Sequence, residues 1–264
     1  MKCISCNPYS SSKWYEEHKE IYQTDVRPVK FYKNNFLQIF VDNAPNLIHL
    51  DIPGGEPFLS GVDEQQQLLF HYIQTGHSKN MTLHYTTNTT IFPDQTWWQL
   101  WQNFKQVEIQ LSIDGIGSHN EYIRFPSNWN QTVNNIQKFL AVKEQNLKLS
   151  VSHTVSAYNI YYLDEFFSWC YSNSLPKPWL GRVHNPKHMR PTVWPNKTLI
   201  INKLNQSQHA DVKNWVSLLQ SQDDSQHFEL FKSKVSEHDR YRGTDFATTF
   251  PELKELYETS NHCN

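Results

Sequence analysis

Two closely spaced cysteines near the amino terminus are the residues of this sequence best suited to chemistry. Cys3 and Cys6 are separated by two residues, whereas Cys170 and Cys263 lie far along the chain. Thiolates at this spacing can hold a metal ion or a cluster, or they can act as a redox pair. Four dispersed cysteines are too few for a disulfide framework, so the pair requires one of these explanations.

Short polar and glycine-rich signals follow the segments in which strands are predicted. They are Gly54-Gly55-Glu56-Pro57, Thr87-Asn88-Thr89, Ser112-Ile113-Asp114-Gly115 and residues 154–159. In parallel α/β folds the carboxyl ends of the strands form the binding face, so these signals are predicted to share one site. Glu56 is the most informative residue, because a carboxylate after two glycines at a buried strand end is difficult to explain as scaffold.

The elements that position these residues alternate along the chain. Apolar runs and turn signals predict strands at residues 47–52, 81–86, 107–113, 147–155 and 180–184. Apolar spacings of three and four predict helices at residues 12–22, 36–41, 62–74, 95–104, 132–144 and 163–171. This order implies parallel strands joined by right-handed crossovers, and therefore an α/β sheet or a partial barrel.

The alternation ends near residue 189. Pro186, Pro191 and Pro195 mark an irregular link, and the Gln/Ser/Asp-rich residues 220–226 separate a predicted helix from a charged carboxyl-terminal part. We therefore expect a barrel over residues 1–189 and a helical extension over residues 190–264. The extension is expected to cover the mouth of the barrel or to replace a missing domain.

The charge balance and hydropathy disfavour two classes of partner. The 24 basic and 26 acidic side chains provide no excess of positive charge for a nucleic acid. No apolar run reaches the roughly 18 residues of a membrane span, and the first residues contain no apolar core of a secretory signal. We therefore expect a cytoplasmic protein that binds neither nucleic acid nor membrane.

The ordered set of motifs resembles the radical S-adenosylmethionine (SAM) superfamily over roughly residues 1–189. That superfamily is marked by Cys-x-x-x-Cys-x-x-Cys in the loop after the first strand of a partial (β/α)6 TIM-like barrel. The motifs that carry a narrower resemblance are Cys3-x-x-Cys6-Asn7-Pro8, Ser10-Ser11-Ser12-x-Trp14, Ser112-Ile113-Asp114-Gly115, residues 120–124 and the tail at residues 245–253. They are similar to twitch-domain radical SAM proteins of phages and marine bacteria.

The resemblance implies a cofactor and a set of ligands. Cys3 and Cys6 match the second and third thiolates that hold a [4Fe-4S] cluster, whose open iron would bind SAM. Gly54 and Gly55 would allow the methionine part of SAM to approach the backbone. Glu56 would accept a hydrogen bond from the SAM amino group.

Four further residues match cofactor positions of the family. Ser112 and Asp114 stand where strand-end residues meet the SAM ribose or carboxylate, and Arg124 would make a charge-assisted contact to that carboxylate. Asn159 is a candidate for another contact. The implied reaction is reductive cleavage of SAM and hydrogen abstraction from an unidentified substrate. A peptide is one candidate substrate, and an electron donor is a second implied partner.

The chain departs from the family pattern at its start. The first cysteine of the motif would fall two positions before Met1, and the first strand of the barrel is also absent. We therefore expect a chain truncated at its amino terminus, with a partial barrel that lacks its first strand. The chain as given is expected to be inactive, because two thiolates hold a cluster only loosely.

Other interpretations of the Cys3/Cys6 pair remain open. Half of a zinc site would need two more ligands, and only His18 is near in sequence. A thioredoxin-like redox pair should follow a strand, and no strand is predicted before Cys3. The alternative function is a catalytically silent barrel fragment or a binding protein without a cluster.

Overall fold

A five-stranded parallel sheet forms the centre of the protein. The computed structural model describes residues 1–6, 11–24, 36–53 and 55–259, with the backbone alone at residues 12, 36 and 37. The strands are β1 (His49–Ile52), β2 (Thr82–Thr87), β3 (Gln106–Ser112), β4 (Leu147–Val155) and β5 (Trp179–Arg182). They lie side by side in chain order, and each neighbouring pair is parallel.

Helices occupy the connections between the strands and most of the carboxyl-terminal part. Those before β5 are α1 (Ser12–Tyr22), α2 (Phe36–Asp42), α3 (Val62–Gln74), α4 (Gln95–Trp101), α5 (Ser118–Ile123), α6 (Trp129–Ala141) and α7 (Leu163–Ser172). Those after β5 are α8 (Thr198–Gln206), α9 (Ala210–Ser221), α10 (Phe228–Arg242), α11 (Phe246–Thr249) and α12 (Lys254–Glu258). Among the described residues, no helix combines the length and the apolar character needed to cross a membrane.

The two faces of the sheet differ in polarity. Right-handed crossovers between strands in chain order place the connecting helices on one face, as in a half-barrel. On that face Trp101 of α4 packs against Tyr85 of β2, and the neighbouring Ile109 of β3 is buried. Side chains alternate along a strand, so Glu108 and Gln110 point to the opposite face, where they are partly exposed. This second face is polar and open.

The predicted α/β class and partial barrel are confirmed as a five-stranded half-barrel. Residues 62–74 form α3 and residues 147–155 form β4, as predicted. β1 begins at His49 instead of residue 47, and β5 ends at Arg182 instead of residue 184. The six-residue helix α5 was not predicted, because so short a segment shows little periodicity. The loss of a first strand stays a prediction.

The carboxyl-terminal helices pack on the half-barrel. Trp194 is buried, and its Nε1 donates a hydrogen bond to the backbone oxygen of Ala157 at 3.1 Å. Phe231 of α10 packs against both Trp194 and Tyr158. These contacts join the extension to the loop after β4, while the proposed domain boundary after residue 189 stays a prediction.

Candidate functional site

The segment that carries Cys3 and Cys6 folds into a turn beside the end of α5. The N–H of Cys6 donates to the backbone oxygen of Cys3 at 3.0 Å. The N–H groups on either side of Cys3 donate to the backbone oxygens of Phe125 and Ile123, at 2.6 and 2.8 Å. Cys3 is buried and Cys6 is half-buried. Backbone hydrogen bonds therefore attach the cysteine turn to the loop that follows α5.

Side chains from α1 and α10 also hold this turn. Trp14 Nε1 donates to the backbone oxygen of Cys3 at 2.7 Å, and Arg242 Nη2 donates to that of Lys2 at 2.9 Å. Arg242 pairs with Glu17 at 2.7 Å, and both side chains are buried. The sequence analysis missed Arg242 and Glu17, because neither belongs to a motif and their contact joins opposite ends of the chain.

The two thiols change each other's protonation. The hydrogen bond from Cys6 lowers the pKa of Cys3 to about 6, against the opposing effect of burial and with help from the charge of Arg124. The same hydrogen bond raises the pKa of Cys6. The pair therefore presents one thiolate and one thiol at neutral pH.

Within the part of the chain that the structure describes, no group of three His, Cys, Asp or Glu side chains is arranged to hold a metal ion. Cys170 is buried in α7, and burial raises the pKa of its thiol to about 12. Cys263 lies outside the described residues. The described residues at the turn therefore offer two thiol ligands.

Glu56 is a buried carboxylate in the turn after β1. The hydroxyl of Thr87 donates to both of its oxygens at 2.9 Å, and the N–H of Asn88 donates to Oε2 at 3.0 Å. Burial raises the pKa of Glu56, although these hydrogen bonds and the charge of Arg124 favour the ionised form. The end of β2 thus fixes the orientation of a carboxylate that follows β1.

The backbone before Glu56 leaves open space. Gly54 lies outside the described residues. Gly55 has φ +56°, a left-handed conformation that residues with a side chain rarely adopt. Apart from its two chain neighbours, no atom of the described residues would lie within 4 Å of a Cβ atom at Gly55. A ligand can therefore approach the main chain closely at this position.

Asp114 and Arg124 form a buried ion pair at the end of β3. Arg124 Nη1 donates to Asp114 Oδ2 at 2.6 Å, and Asp114 Oδ1 accepts a hydrogen bond from the Thr154 N–H at 2.7 Å. Burial disfavours the charge of Arg124, but the negative charges of Cys3 and Asp114 outweigh it and raise the pKa of the guanidinium. Arg124 Nε is buried without a hydrogen-bond partner among the described residues. Arg124 thus keeps one buried donor that is unsatisfied among the described residues.

Ser112 and Asn159 make contacts within the protein. The hydroxyl oxygens of Ser112 and Ser152 lie 3.3 Å apart on neighbouring strands. Asn159 Nδ2 donates to the backbone oxygens of Asp114 and Thr154, at 3.0 Å each. Asn159 therefore ties together the ends of β3 and β4. The predicted contacts of both residues with a cofactor stay predictions.

Four of the candidate residues lie near enough to Arg124 to be affected by its charge. Its positive charge acts on the thiols of Cys3 and Cys6 and on the carboxylate of Glu56, and it pairs directly with Asp114. These residues come from four separate segments of the chain. The site therefore combines two thiols, two carboxylates and a guanidinium beside the carboxyl ends of the strands.

His153 is a buried histidine near this site that belongs to none of the motifs named above. Its Nδ1 lies 2.9 Å from the backbone oxygen of Ile113, and its Nε2 has no partner among the described residues. Burial lowers the pKa of His153 to about 4, so the ring is neutral at physiological pH. A buried histidine within an apolar strand pattern gives no signal of its own in the sequence.

Solved structures with a similar fold include native anSMEcpe with bound AdoMet. It is 15% identical to this chain, with a TM-score of 0.54 over 92% of this chain and 58% of that chain. This chain shares its fold with anSMEcpe, whose structure contains bound AdoMet. Structures of native anSMEcpe with bound AdoMet and the Cp18Cys or Kp18Cys peptide match at 14% identity, with a TM-score of 0.53 and the same coverage.

The chain spans 58% of the length of the anSMEcpe chain. No family model matches the sequence, and no curated protein matches it. At 15% identity the likeness concerns the fold, so the roles of single residues rest on the geometry of the site.

Proposed function

We propose that this chain is the barrel of a radical SAM enzyme, and that the site around Arg124 binds SAM beside a [4Fe-4S] cluster. The observation that carries the proposal is the meeting of two thiols, a buried carboxylate and a guanidinium at the strand ends of a half-barrel. The similar fold of anSMEcpe holds AdoMet.

The amino and carboxylate groups of SAM each have a partner in this site. Glu56, held by Thr87 and Asn88, would accept a hydrogen bond from the amino group. The positive charge of the SAM amino group would also offset the cost of burying Glu56 in its ionised form. The guanidinium of Arg124 would donate to the SAM carboxylate, and the space beside Gly55 would admit the methionine chain. In this proposal Gly54, Ser112, Asp114 and Asn159 complete the surroundings of the cofactor.

The thiols fit two ligand positions of a cluster. A pKa near 6 makes Cys3 a thiolate at neutral pH, the form that binds iron. When bound, the cluster would supply the electron for reductive cleavage of SAM, which leads to hydrogen abstraction from the substrate. Trp14 and Arg242 would hold the backbone of the turn in place, and Asp114 would orient Arg124.

We propose a peptide as the substrate and a separate protein or small reductant as the electron donor. The structures of anSMEcpe with AdoMet and a bound peptide support the substrate class. The narrower relationship to twitch-domain proteins of phages and marine bacteria and the boundary after residue 189 are parts of the same proposal.

Anaerobic calorimetry with SAM tests the proposed site. After reconstitution with iron and sulfide, Glu56→Gln should weaken SAM binding roughly ten- to a hundredfold, because a charge-assisted hydrogen bond is lost. The matched control is Glu108→Gln, which neutralises a carboxylate near the middle of β3 and should leave the affinity unchanged. Equal SAM affinities for the wild type and Glu56→Gln would exclude Glu56 from the site.

Iron binding tests the proposed ligands. Cys3→Ser and Cys6→Ser should each lower the iron content after reconstitution. Cys170→Ala should not lower it, because Cys170 is a buried residue of α7 and is not part of the cysteine turn. A version of the chain extended by a segment with a third cysteine should bind more iron and form 5′-deoxyadenosine after reduction. Equal product formation by the chain as given would contradict its predicted inactivity.

A catalytically silent barrel without a cluster is the second candidate. The specific observation in its favour is that Asp114 already neutralises Arg124, while the described residues supply two thiols at the turn. Such a protein would bind SAM or a related ligand without iron. Unchanged SAM affinity after removal of iron with a chelator would favour it over the enzyme.

A further inference from the structure

A cavity of about 680 Å³ lies between the outer edge of β5 and α9. Leu180 and Arg182 line it from the strand, while Trp215 and Leu218 line it from the helix. Ligand pockets in proteins have volumes of about 300–1,000 Å³, so the cavity is large enough for part of a peptide. Thr154, whose N–H binds Asp114, also lines the cavity, so the cavity adjoins the candidate cofactor site.

The edge of β5 presents unpaired backbone groups to this cavity. The N–H of Val183 donates to the backbone oxygen of Val155 in β4 at 3.0 Å. Backbone groups alternate in direction along a strand, so the N–H and C=O groups of Leu180 and Arg182 point away from β4. Among the described residues they have no hydrogen-bond partner on the outer side. A free strand edge of this kind is a template for another extended chain.

Two tryptophans form walls of the cavity. The ring of Trp179 lies over Gly181, where a Cβ atom would stand 2.9 Å from the indole, and Trp179 is 64% exposed. Trp215 stands on the opposite side, on α9, and is half-buried. Tryptophan provides a large apolar surface at low entropic cost, which suits contact with the side chains of a bound segment. A side chain at position 181 would require the exposed ring of Trp179 to move.

The charge at the cavity is positive. Arg182 Nη1 donates to Gln222 Oε1 at 3.1 Å and its Nη2 lies 3.4 Å from His184 Nδ1, and among the described residues no carboxylate pairs with it. His184 also lines the cavity, whereas Asp and Glu are absent from its described lining. An unpaired guanidinium at a strand edge favours a carboxylate on the incoming chain.

We propose that the substrate peptide binds as an additional parallel or antiparallel strand along the outer edge of β5, with an acidic side chain against Arg182. The proposal rests on the proposed function, because it assigns the recognition site of the peptide substrate. Main-chain hydrogen bonds to Leu180 and Arg182 supply affinity, and Arg182, Trp179 and Trp215 supply selectivity.

The test uses the full chain and a fluorescein-labelled peptide of eight residues that alternates threonine and valine around one central glutamate. We expect saturable binding by fluorescence anisotropy. Arg182→Gln should weaken binding roughly tenfold or more, because it removes a charge-assisted contact. The control Arg240→Gln changes an exposed arginine of α10 and should bind the peptide as the wild type does.

Variants of the peptide test the same contacts without any substitution that could impair folding of the protein. A peptide with glutamine in place of glutamate should bind the wild type and Arg182→Gln equally. A peptide with alternate backbone amides methylated on one edge should lose binding, because it cannot pair with β5. Undiminished binding of the methylated peptide, or equal binding of the glutamate peptide by the wild type and Arg182→Gln, would overturn the proposal.

The competing occupant is a second copy of the chain. A wild-type dimer in sedimentation equilibrium that is lost in Trp179→Ala, together with no peptide binding, would assign the edge to self-association and overturn the proposal. Calorimetry with SAM on the same samples separates this proposal from the proposed function. Peptide binding without SAM binding would support the edge site and contradict the proposed SAM-dependent function. SAM binding without peptide binding would support the proposed function and overturn the edge site.

Discussion

Trp14 and Cys3 are joined by a hydrogen bond of 2.7 Å from the indole nitrogen to the backbone oxygen. The neighbouring oxygen, that of Lys2, accepts a hydrogen bond from Arg242 at 2.9 Å. The cysteine turn therefore depends on a helix at each end of the chain, α1 and α10. The extension that follows the half-barrel is part of what positions the thiols.

Replacement of Arg242 by methionine should destabilise the protein strongly. It leaves Glu17 buried with Lys2, at 3.4 Å, as its remaining cationic partner among the described residues, and breaking a buried ion pair costs up to about 3–5 kcal/mol. Urea unfolding measures the loss. The double variant Glu17→Leu/Arg242→Met should recover part of it, because no charge of the pair then stays buried. An Arg242→Met variant with the unfolding midpoint of the wild type would show that the pair contributes nothing.

Arg124→Gln should raise the pKa of Cys3 above its value of about 6. Arg124 favours the Cys3 thiolate by its charge, so its loss makes the thiolate harder to form. The ultraviolet absorbance of the thiolate, followed against pH in the metal-free protein, measures the shift. Arg190→Gln is the control, because Arg190 pairs with Asp224 elsewhere in the fold. The prediction fails if the Arg124→Gln titration overlays that of the wild type.

Glu56→Gln should preserve the fold and change how stability depends on pH. Burial raises the pKa of Glu56 in the folded state. The wild type should therefore lose some stability as the pH rises from the unfolded pKa through the folded pKa, because folding then requires the burial of a charge. A glutamine has no such charge. Urea unfolding at a series of pH values should show a smaller loss for Glu56→Gln, and parallel curves would contradict the assignment.

His238→Phe should stabilise the protein in acid. Both ring nitrogens of His238 are buried without a hydrogen-bond partner among the described residues, and burial lowers its pKa to about 3. Because the folded state binds the proton less readily, the wild type should lose stability as the pH falls from 6.5 towards 3. The slope per histidine is about 1.4 kcal/mol for each pH unit. Phenylalanine keeps the edge contact with Trp14 and has no proton to bind.

The control for His238→Phe is His227→Phe, which replaces a histidine at the surface of the same region. Thermal unfolding from pH 7 to pH 4 should show a flatter dependence for His238→Phe and an unchanged one for His227→Phe. If both variants follow the wild-type curve, the buried ring of His238 is not a source of acid sensitivity.

The sequence by itself determined most of the sheet and the helices around it. The apolar residues of α3 recur at helical spacing, and β4 is an extended apolar alternation, so both were predicted with the observed bounds. These patterns involve residues a few positions apart, and such spacings appear directly in the sequence. For the same reason Glu56 and Asp114 were placed at strand ends, because each follows a strand in the chain.

The tertiary structure alone decided which of these residues act together. Arg124 was predicted to face a ligand, but its Nη1 pairs with Asp114, a residue that was itself assigned to the ligand. Arg242 was not singled out, and it reaches the oxygen of Lys2 across 240 positions of the chain. Ion pairs and long-range hydrogen bonds of this kind form only when distant loops come together, as the sheet curves and the extension packs on it. Which loops come together depends on the packing of the whole core, so a local sequence pattern does not predict these contacts.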